Sequence, residues 1–212
     1  MIGELLVTNY FNTLAHRDRG RFTPSGFSLV ELMVTVAIAS ILMSVAGPTL
    51  ITSIKSNRLT AQINSVSASL FITRSEAVKQ STNTLVMCAS TDSASCDTNN
   101  WENGWIIFID ADADNTLDVA EELVKVVTPL EGDNKLRTSG FTNLGHLTFD
   151  KNGMPDSSGT FTLCDDRGVT FAKAAILSIV GHTRLGVDED TVPDEIVNVD
   201  SGASGGVNVI CP

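Results

Sequence analysis

An acidic stretch in the middle of the chain carries the residue types best suited to binding a cation. Five carboxylates match positions 1, 3, 5, 9 and 12 of a calcium-loop template: Asp110, Asp112, Asp114, Asp118 and Glu121. That spacing converges oxygen atoms on one hard cation. However, Asn115 stands where the template has glycine, and a strand-like run precedes the loop instead of a helix. The stretch therefore fits either a calcium site or a solvated hairpin loop.

Residues for catalysis form no recognisable constellation. The three histidines, His16, His146 and His182, offer no paired base at a characteristic spacing. The stretch Gly202–Gly206 matches G-x-S-x-G by letter, but it lies in a Gly/Ser-rich tail without the strand–turn–helix that this pattern needs. Neither a phosphate-binding loop nor a dinucleotide fingerprint occurs in the sequence. We therefore expect no enzyme, and no metal or cofactor apart from the calcium hypothesis.

A further carboxylate lies inside a segment suited to lipid. The run GFSLVELMVTVAIASILMSVAGP, residues 26–48, is apolar or small almost throughout, and about 20 such residues span a bilayer. Glu31 lies within it, although a carboxylate costs roughly 2.5 kcal/mol or more at the bilayer centre. A functional role with a specific partner is the default for such a residue. A secretory signal peptide fits less well, because no A-x-A-like cleavage site follows the run.

Composition limits the function classes and the architecture. The chain has 212 residues, which suggests one domain plus additional segments. It carries 14 Lys and Arg against 25 Asp and Glu, a net charge of -11. This acidic balance argues against broad non-specific binding to nucleic acid, whose affinity comes mainly from neutralised phosphates, but it leaves a local basic site open. Sparse aromatic residues and many turn-forming residues in the second half favour short strands and loops.

The start of the apolar run, GFSLVELM, resembles the type III signal of type IV pilins and pseudopilins. The resemblance implies that a prepilin peptidase cleaves between Gly26 and Phe27 and then methylates the new amino terminus. Glu31 then occupies the position of the family's glutamate, which pairs with the terminal amine of a neighbouring subunit during assembly. Two unfavourable buried charges would thereby offset one another. Pro48 stands where the family commonly has a helix-kinking proline.

This resemblance divides the chain into four parts: a leader peptide (1–26), a transmembrane and assembly helix (27–48), an amphipathic continuation of that helix (49–80) and a periplasmic β-rich head (81–212). Arginines 17, 19 and 21 precede the span, and such residues remain cytoplasmic. We therefore expect a single pass through the bacterial inner membrane with the head in the periplasm. After assembly the protein would be associated with a filament.

The helix and the head together predict an α+β, pilin-like fold. Leu59, Ile63, Val66 and Leu70 recur at spacings of four, three and four, which indicates an amphipathic helix continuing to about residue 80. Seven short strand-like runs follow and are separated by turn signals. They are TLVMCAS, GWIIFID, ELVKVVTPL, LTFD, TFTLCD, KAAILSIV and VNVICP. We expect a small antiparallel sheet packed on the helix.

The four cysteines fit a disulfide-bonded periplasmic head. Cys88, Cys96, Cys164 and Cys211 allow three connectivities. We favour Cys88–Cys96, which closes a short loop, and Cys164–Cys211, which ties the tail to the sheet. A structural metal site is the alternative, but neither a C-x-x-C pair nor a neighbouring histidine supports it.

Four further stretches narrow the resemblance to the GspH/FimT family of minor pilins and pseudopilins. They are RSEAVKQ, WENGWIIFIDADADNTLD, FDKNGMPDSSGTFTLCDDRG and ILSIVGHTRLG. Family members are low-abundance subunits that initiate assembly or occupy the filament tip. Some FimT-like members bind DNA through a C-terminal G-R-x-R motif. Here the motif reads Gly181, His182, Thr183 and Arg184, so a mostly neutral histidine replaces one arginine.

The resemblance therefore predicts a minor type IV pilin that primes or caps a pilus, with other major and minor pilins as its partners. One alternative is a minor pseudopilin of a type II secretion system, because both classes use the same signal, helix and head. Another is a filament-borne DNA receptor for natural transformation that uses Arg184 and His182. The net negative charge disfavours the DNA receptor.

Overall fold

The computed structural model describes residues 26–80, 82–187, 196–198 and 208–211. Residues 1–25 of the predicted leader and the stretch Gly202–Gly206 lie outside the described residues. Chain contacts divide the molecule into two compact units, Met1–Pro48 and Thr49–Pro212. The two units are described separately below.

Helix α1 comprises Leu29–Gln80, 52 residues in all, with Pro48 in its interior. It begins two residues after Phe27, and the backbone N–H of Leu32 donates to the Ser28 carbonyl at 3.1 Å. No single helix among the described residues passes a length and hydropathy test for a membrane span. The bent pair of segments Leu29–Ser44 and Ala46–Gln80 passes that test when the two are taken together.

Eight strands follow the helix, and two short 3-10 turns, Trp101–Asn103 and Val169–Phe171, lie between them. The strands are β1 (Thr84–Ala89), β2 (Trp105–Asp110), β3 (Leu123–Val127), β4 (Lys135–Ser139), β5 (His146–Phe149), β6 (Gly159–Cys164), β7 (Lys173–Leu177) and β8 (Thr183–Leu185). They form two four-stranded sheets, in the orders β3-β2-β1-β5 and β4-β6-β7-β8. Every pairing is antiparallel. The predicted α+β class, with a long helix packed on antiparallel β-structure, is confirmed.

One hydrophobic core joins the second part of α1, residues 49–80, to both sheets. The predicted stripe of Leu59, Ile63, Val66 and Leu70 is at most 1% exposed. It packs in the same cluster as Trp105 of β2, Phe149 of β5, and Phe161 and Leu163 of β6. Burial of each such side chain contributes about 1.5 to 3 kcal/mol, so this stripe fixes the helix to the head.

Polar bonds add specificity to this packing. Both Trp105 Nε1 and Lys125 Nζ donate to the Ser69 hydroxyl, at 3.0 and 3.1 Å. Near the helix end, Arg74 Nη1 donates to the Gly181 carbonyl at 2.8 Å. Gly181 has a φ of 75° in the turn between β7 and β8, a conformation that favours glycine. These bonds set the position of the helix along the sheets.

The strand predictions need three corrections. The run VNVICP forms no strand in its described part, where Asn208 makes an isolated bridge to Asn198. The disulfide at Cys211, not a strand ladder, holds this tail. Strands β4 and β8 were not predicted, because both are short and their charged residues conceal the apolar alternation. In addition, KAAILSIV leaves the sheet after Leu177, and Ile179 and Val180 lie exposed in the following turn.

Candidate functional site

The first part of α1, Leu29–Ser44, has an exposed apolar surface. Every large apolar side chain from Leu29 to Met43 is at least 52% exposed. Phe27, just before the helix, is 79% exposed, and a Cβ built on Gly26 would meet no atom within 4 Å. The predicted cleavage junction is therefore accessible within this unit.

Polar side chains of this segment bond to their own helix. The hydroxyls of Thr35, Ser40 and Ser44 donate to carbonyls three residues earlier, at 2.9, 2.8 and 2.7 Å. Such bonding satisfies a hydroxyl where the surroundings offer no water. Glu31, in the first turn, makes no hydrogen bond or ion pair with any described residue. Its exposed carboxylate is thus a polar group of this segment without a partner among the described residues.

The head contains two disulfides, and they are the pairs favoured from the sequence. Cys88–Cys96 spans a sequence separation of 8, and Cys164–Cys211 spans 47. Cys88 lies on β1 in a small cluster with Val86, Ile106 and Phe108. The second disulfide ends β6 and covers Ala172, Ala174 and Val209. Both therefore secure segments of the head that lie outside the main core.

The acidic loop brings together three of the five predicted calcium ligands. Carboxylate oxygens of Asp110, Asp112 and Asp114 lie within 4.8 Å of one another. Asp110 is buried, and its carboxylate accepts backbone N–H groups of residues 113 to 115. Partial desolvation and then the neighbouring Asp114 raise the pKa of Asp112. The clustered carboxylates destabilise one another, but they are no evidence of calcium.

Of the other two predicted ligands, Glu121 uses its carboxylate for bonds within the loop. Glu121 Oε1 accepts the backbone N–H of Ala111 at 2.7 Å, and Oε2 accepts that of Asp118 at 3.1 Å. Thr116 donates to Asp114 and thereby lowers the pKa of that carboxyl. These bonds close a hairpin loop without requiring a cation.

The two predicted DNA-binding residues lie in different environments. His182 is exposed in the turn before β8. Arg184 lies on β8 opposite Ile176, is only partly exposed, and its Nη2 atom is buried. Phosphate contacts require accessible cations. These two residues present less positive charge than the two arginines of a G-R-x-R motif would.

A cleft that was not predicted lies on the head side of α1. Its volume is about 230 Å³, and it is lined by Lys55, Arg58, Gly132, Asp133, Asn134 and Asp166. Lys55 Nζ pairs with the Asp166 carboxylate at 2.6 Å and lowers the pKa of that carboxyl. Two cations three residues apart on a helix are a weak sequence signal, because solvated helix faces carry them routinely.

Two family models match the chain, one over most of the head and one over the N-terminal segment. The family model described as "Type II transport protein GspH" matches residues 62–181, more than half of the chain. The chain belongs to the GspH family. The prokaryotic N-terminal methylation motif matches residues 23–47 of this GspH-family protein. Together they confirm the resemblance drawn from the sequence and identify a minor pilin or pseudopilin.

The GspH-family chain is also similar to two crystal structures of the type IV minor pilin FimU from Pseudomonas aeruginosa. The crystal form in space group P21 shares 22% identity at a TM-score of 0.49, over 63% of this chain and 91% of that chain. The P65 form shares 19% identity at a TM-score of 0.43, over 60% of this chain and 92% of that chain. Among curated protein sequences, none matches this chain.

Proposed function

We propose that this GspH-family protein is a minor subunit of a type IV pilus and that it primes or caps filament assembly. The observation that carries the proposal is the uncovered apolar helix from Leu29 to Met43, with Glu31 as a polar group that has no partner among the described residues. The methylation motif overlies the same residues. Such a surface needs lipid before assembly and other pilin helices afterwards.

The proposed maturation begins with the leader, residues 1–26. Prepilin peptidase cleaves between Gly26 and Phe27 and methylates the new terminal amine. Residues 27–48 hold the protein in the inner membrane in a single pass, with the head in the periplasm. On assembly, Glu31 pairs with the terminal amine of a neighbouring subunit, so that neither charge stays isolated in apolar surroundings. Pro48 lies at the end of this segment.

A minor pseudopilin of a type II secretion system is the second candidate. The description of the matching family, a type II transport protein, favours it. The apolar helix and the head suit either filament. We give the pilus precedence because of the two disulfides and the tail beyond Gly186. Cys211 in this tail forms the second disulfide with Cys164. The two candidates differ in where the mature protein is found.

We do not extend the proposal to a DNA receptor. That function would rest on Arg184 and His182, and Arg184 is half-buried whereas His182 is mostly neutral near neutral pH. The chain around them carries a net charge of -11. Both features reduce the cationic contacts on which phosphate binding depends.

The test is to shear filaments from the cell surface and to search them by mass spectrometry. Peptides from residues 82–187, together with a methylated Phe27, are expected in the filaments. A processed protein that remains in the inner membrane would instead favour the pseudopilin, or a priming subunit that stays behind after assembly. An unprocessed chain that joins neither structure would contradict both.

A pair of variants then tests the assembly segment. Gly26→Trp should block processing, because the bulky side chain alters the cleavage junction. Glu31→Ala should allow processing but remove the protein from filaments. Glu76→Ala, on the head side of the same helix, is the matched control and should assemble normally. Assembly of Glu31→Ala at the wild-type level would contradict the pairing with the terminal amine.

A further inference from the structure

The wall of the cleft beside α1 is held in a fixed position. Gln62 Nε2 donates to the Glu131 carbonyl at 2.8 Å, and Asn134 Nδ2 donates to Gln62 Oε1 at 2.6 Å. Both amide side chains are buried. The loop between β3 and β4 is therefore bound to the helix one turn away from Arg58. A cleft with such a wall exists before any ligand arrives.

Arg58 lines this cleft and has no ion-pair partner among the described residues. A Cβ built on Gly132 would lie 2.5 Å from Arg58 Nη1, so the guanidinium rests against the glycine backbone. Arg58 is partly buried, and it makes no ion pair or hydrogen bond with the residues that the structure describes. Lys55, three residues earlier, is already paired with Asp166. Arg58 therefore presents to the cleft a guanidinium that has no counterion among the residues that the structure describes.

The surface next to Arg58 indicates which kind of ligand would bring an anionic group to its guanidinium. Ile51 and Ile54 precede Arg58 by seven and four residues, and such positions lie on one helix face. They are 58% and 50% exposed. A ligand that reaches Arg58 along this face therefore also covers an apolar stripe. A free phosphate would leave that stripe exposed to water.

We propose that the Arg58 cleft binds a carboxylate side chain on the helix of a neighbouring filament subunit. The apolar face of that helix would cover Ile51 and Ile54. A guanidinium donates two parallel N–H···O bonds to a carboxylate. The rim carboxylate Asp133 repels a multiply charged headgroup more strongly than a single carboxylate. This proposal rests on the proposed function, because it requires assembly with other pilin-class subunits.

The experiment measures which subunits accompany the full-length chain. The affinity-tagged protein replaces the native copy in its own host, and pilin-class subunits that co-purify from detergent-solubilised membranes are measured by quantitative mass spectrometry. Arg58→Ala should lower their recovery by about ten-fold, the effect of losing one charge-assisted hydrogen-bonded contact. Arg58→Glu should lower it further, whereas Arg58→Lys should retain part of it. Lys79→Ala, which removes a paired cation of the same helix outside the cleft, should recover close to the wild-type amount.

A charge reversal identifies the carboxylate. Acidic residues of the co-purifying subunits are changed singly to Lys in the Arg58→Glu background, and one of them should restore recovery. Unchanged recovery in Arg58→Glu, an equal loss in Lys79→Ala, or failure of every reversal would each overturn the proposal. Recovery of no pilin-class subunit with the wild-type chain would instead contradict the proposed function. Tryptophan fluorescence of each variant checks that the head is folded, since Trp101 and Trp105 are buried in it.

Discussion

Helix α1 is buried along one face in its second part and exposed on all sides in its first part. Leu59, Ile63, Val66 and Leu70 are at most 1% exposed, whereas every large apolar side chain from Leu29 to Met43 is at least 52% exposed. Both parts have the same secondary structure and similar apolar residues. The difference lies in the spacing of polar residues. A stripe can be covered by one head, whereas a surface that is apolar all round needs an apolar environment outside the chain.

The difference separates folding from assembly. The stripe is satisfied by the sheets of its own chain, so changes there should affect the stability of the head. Under the proposed function the first part is covered by lipid or by other subunits, so changes there should affect insertion and assembly. Four predictions test this separation.

A pair of aspartate substitutions should separate the two parts most strongly. Leu70→Asp places a charge in the main core and should destabilise the head by more than about 4 kcal/mol. Leu42→Asp, at 64% exposure, should leave the unfolding of the head unchanged but cost about 2.5 to 3.5 kcal/mol in membrane insertion. Urea unfolding of the full chain in detergent, followed by tryptophan fluorescence, measures the first effect. Membrane extraction measures the second, and equal effects of both variants on unfolding would refute the separation.

Removal of the disulfides shows how much of the head's stability is independent of the helix stripe. The chain-entropy relation predicts a loss in unfolding free energy of ~4 kcal/mol for Cys164→Ala with Cys211→Ala and of ~2.6 kcal/mol for Cys88→Ala with Cys96→Ala. The loss is larger for Cys164–Cys211 because this disulfide closes the longer loop. The second disulfide belongs to a cluster apart from the main core, so its loss should add to that of Leu59→Ala. Urea unfolding of single and combined variants measures this. Strong non-additivity would show that the tail and the helix stripe are coupled.

The turn at the helix end should show a smaller effect. Gly181→Ala forces a non-glycine residue to a φ of 75° and brings its Cβ against the Gly153 carbonyl, beside Arg74. We expect a loss of about 1 to 3 kcal/mol in unfolding free energy. Gly140→Ala is the control, since its φ is 80° but a Cβ there would meet no atom closer than 3.3 Å. Equal losses in thermal unfolding would mean that the contact with the helix end contributes nothing beyond backbone strain.

The sequence predicted the parts of the fold that depend on periodicity. All four stripe positions are buried, and the helix ends at Gln80 as expected. Strand β4 could not be recognised, because Lys135 and Arg137 occupy it. Glu102, in the 3-10 turn before β2, forms ion pairs with both side chains. That compensation depends on residues more than 30 positions away, which no local pattern contains.

The candidate site was predictable only where it is local in sequence. Glu31 and the Gly26–Phe27 junction are read directly from consecutive residues. The calcium template treated Glu121 as a ligand, but spacing does not show that its carboxylate accepts backbone N–H groups within the loop. The Arg58 cleft was missed because its wall, around Gly132, lies more than 70 residues further along the chain. Its position depends on the Gln62 bonds, which form only in the folded head.

The ion pair near the boundary between the two parts of α1 should give the smallest effect. Lys55 Nζ donates to both carboxylate oxygens of Asp166 and lowers the pKa of Asp166 below its usual value of 3.8. A depressed folded-state pKa stabilises the head above about pH 4, and that contribution is lost as the pH falls through the folded-state pKa. Stability should therefore fall less between about pH 7 and pH 3 in Asp166→Asn than in the wild type.

The pair is largely exposed, so its contribution at neutral pH should be close to the detection limit of urea unfolding. Lys55→Ala should reproduce the pH profile of Asp166→Asn, because either substitution removes the same interaction. Glu76→Gln provides a contrast, since its ion pair with Lys79 lies within the helix and joins it to no loop. If Lys55→Ala keeps the wild-type pH profile, the depressed pKa of Asp166 has another cause. The helix would then be held to this loop by the bonds from Arg167 to the Thr52 carbonyl and the Ser56 hydroxyl.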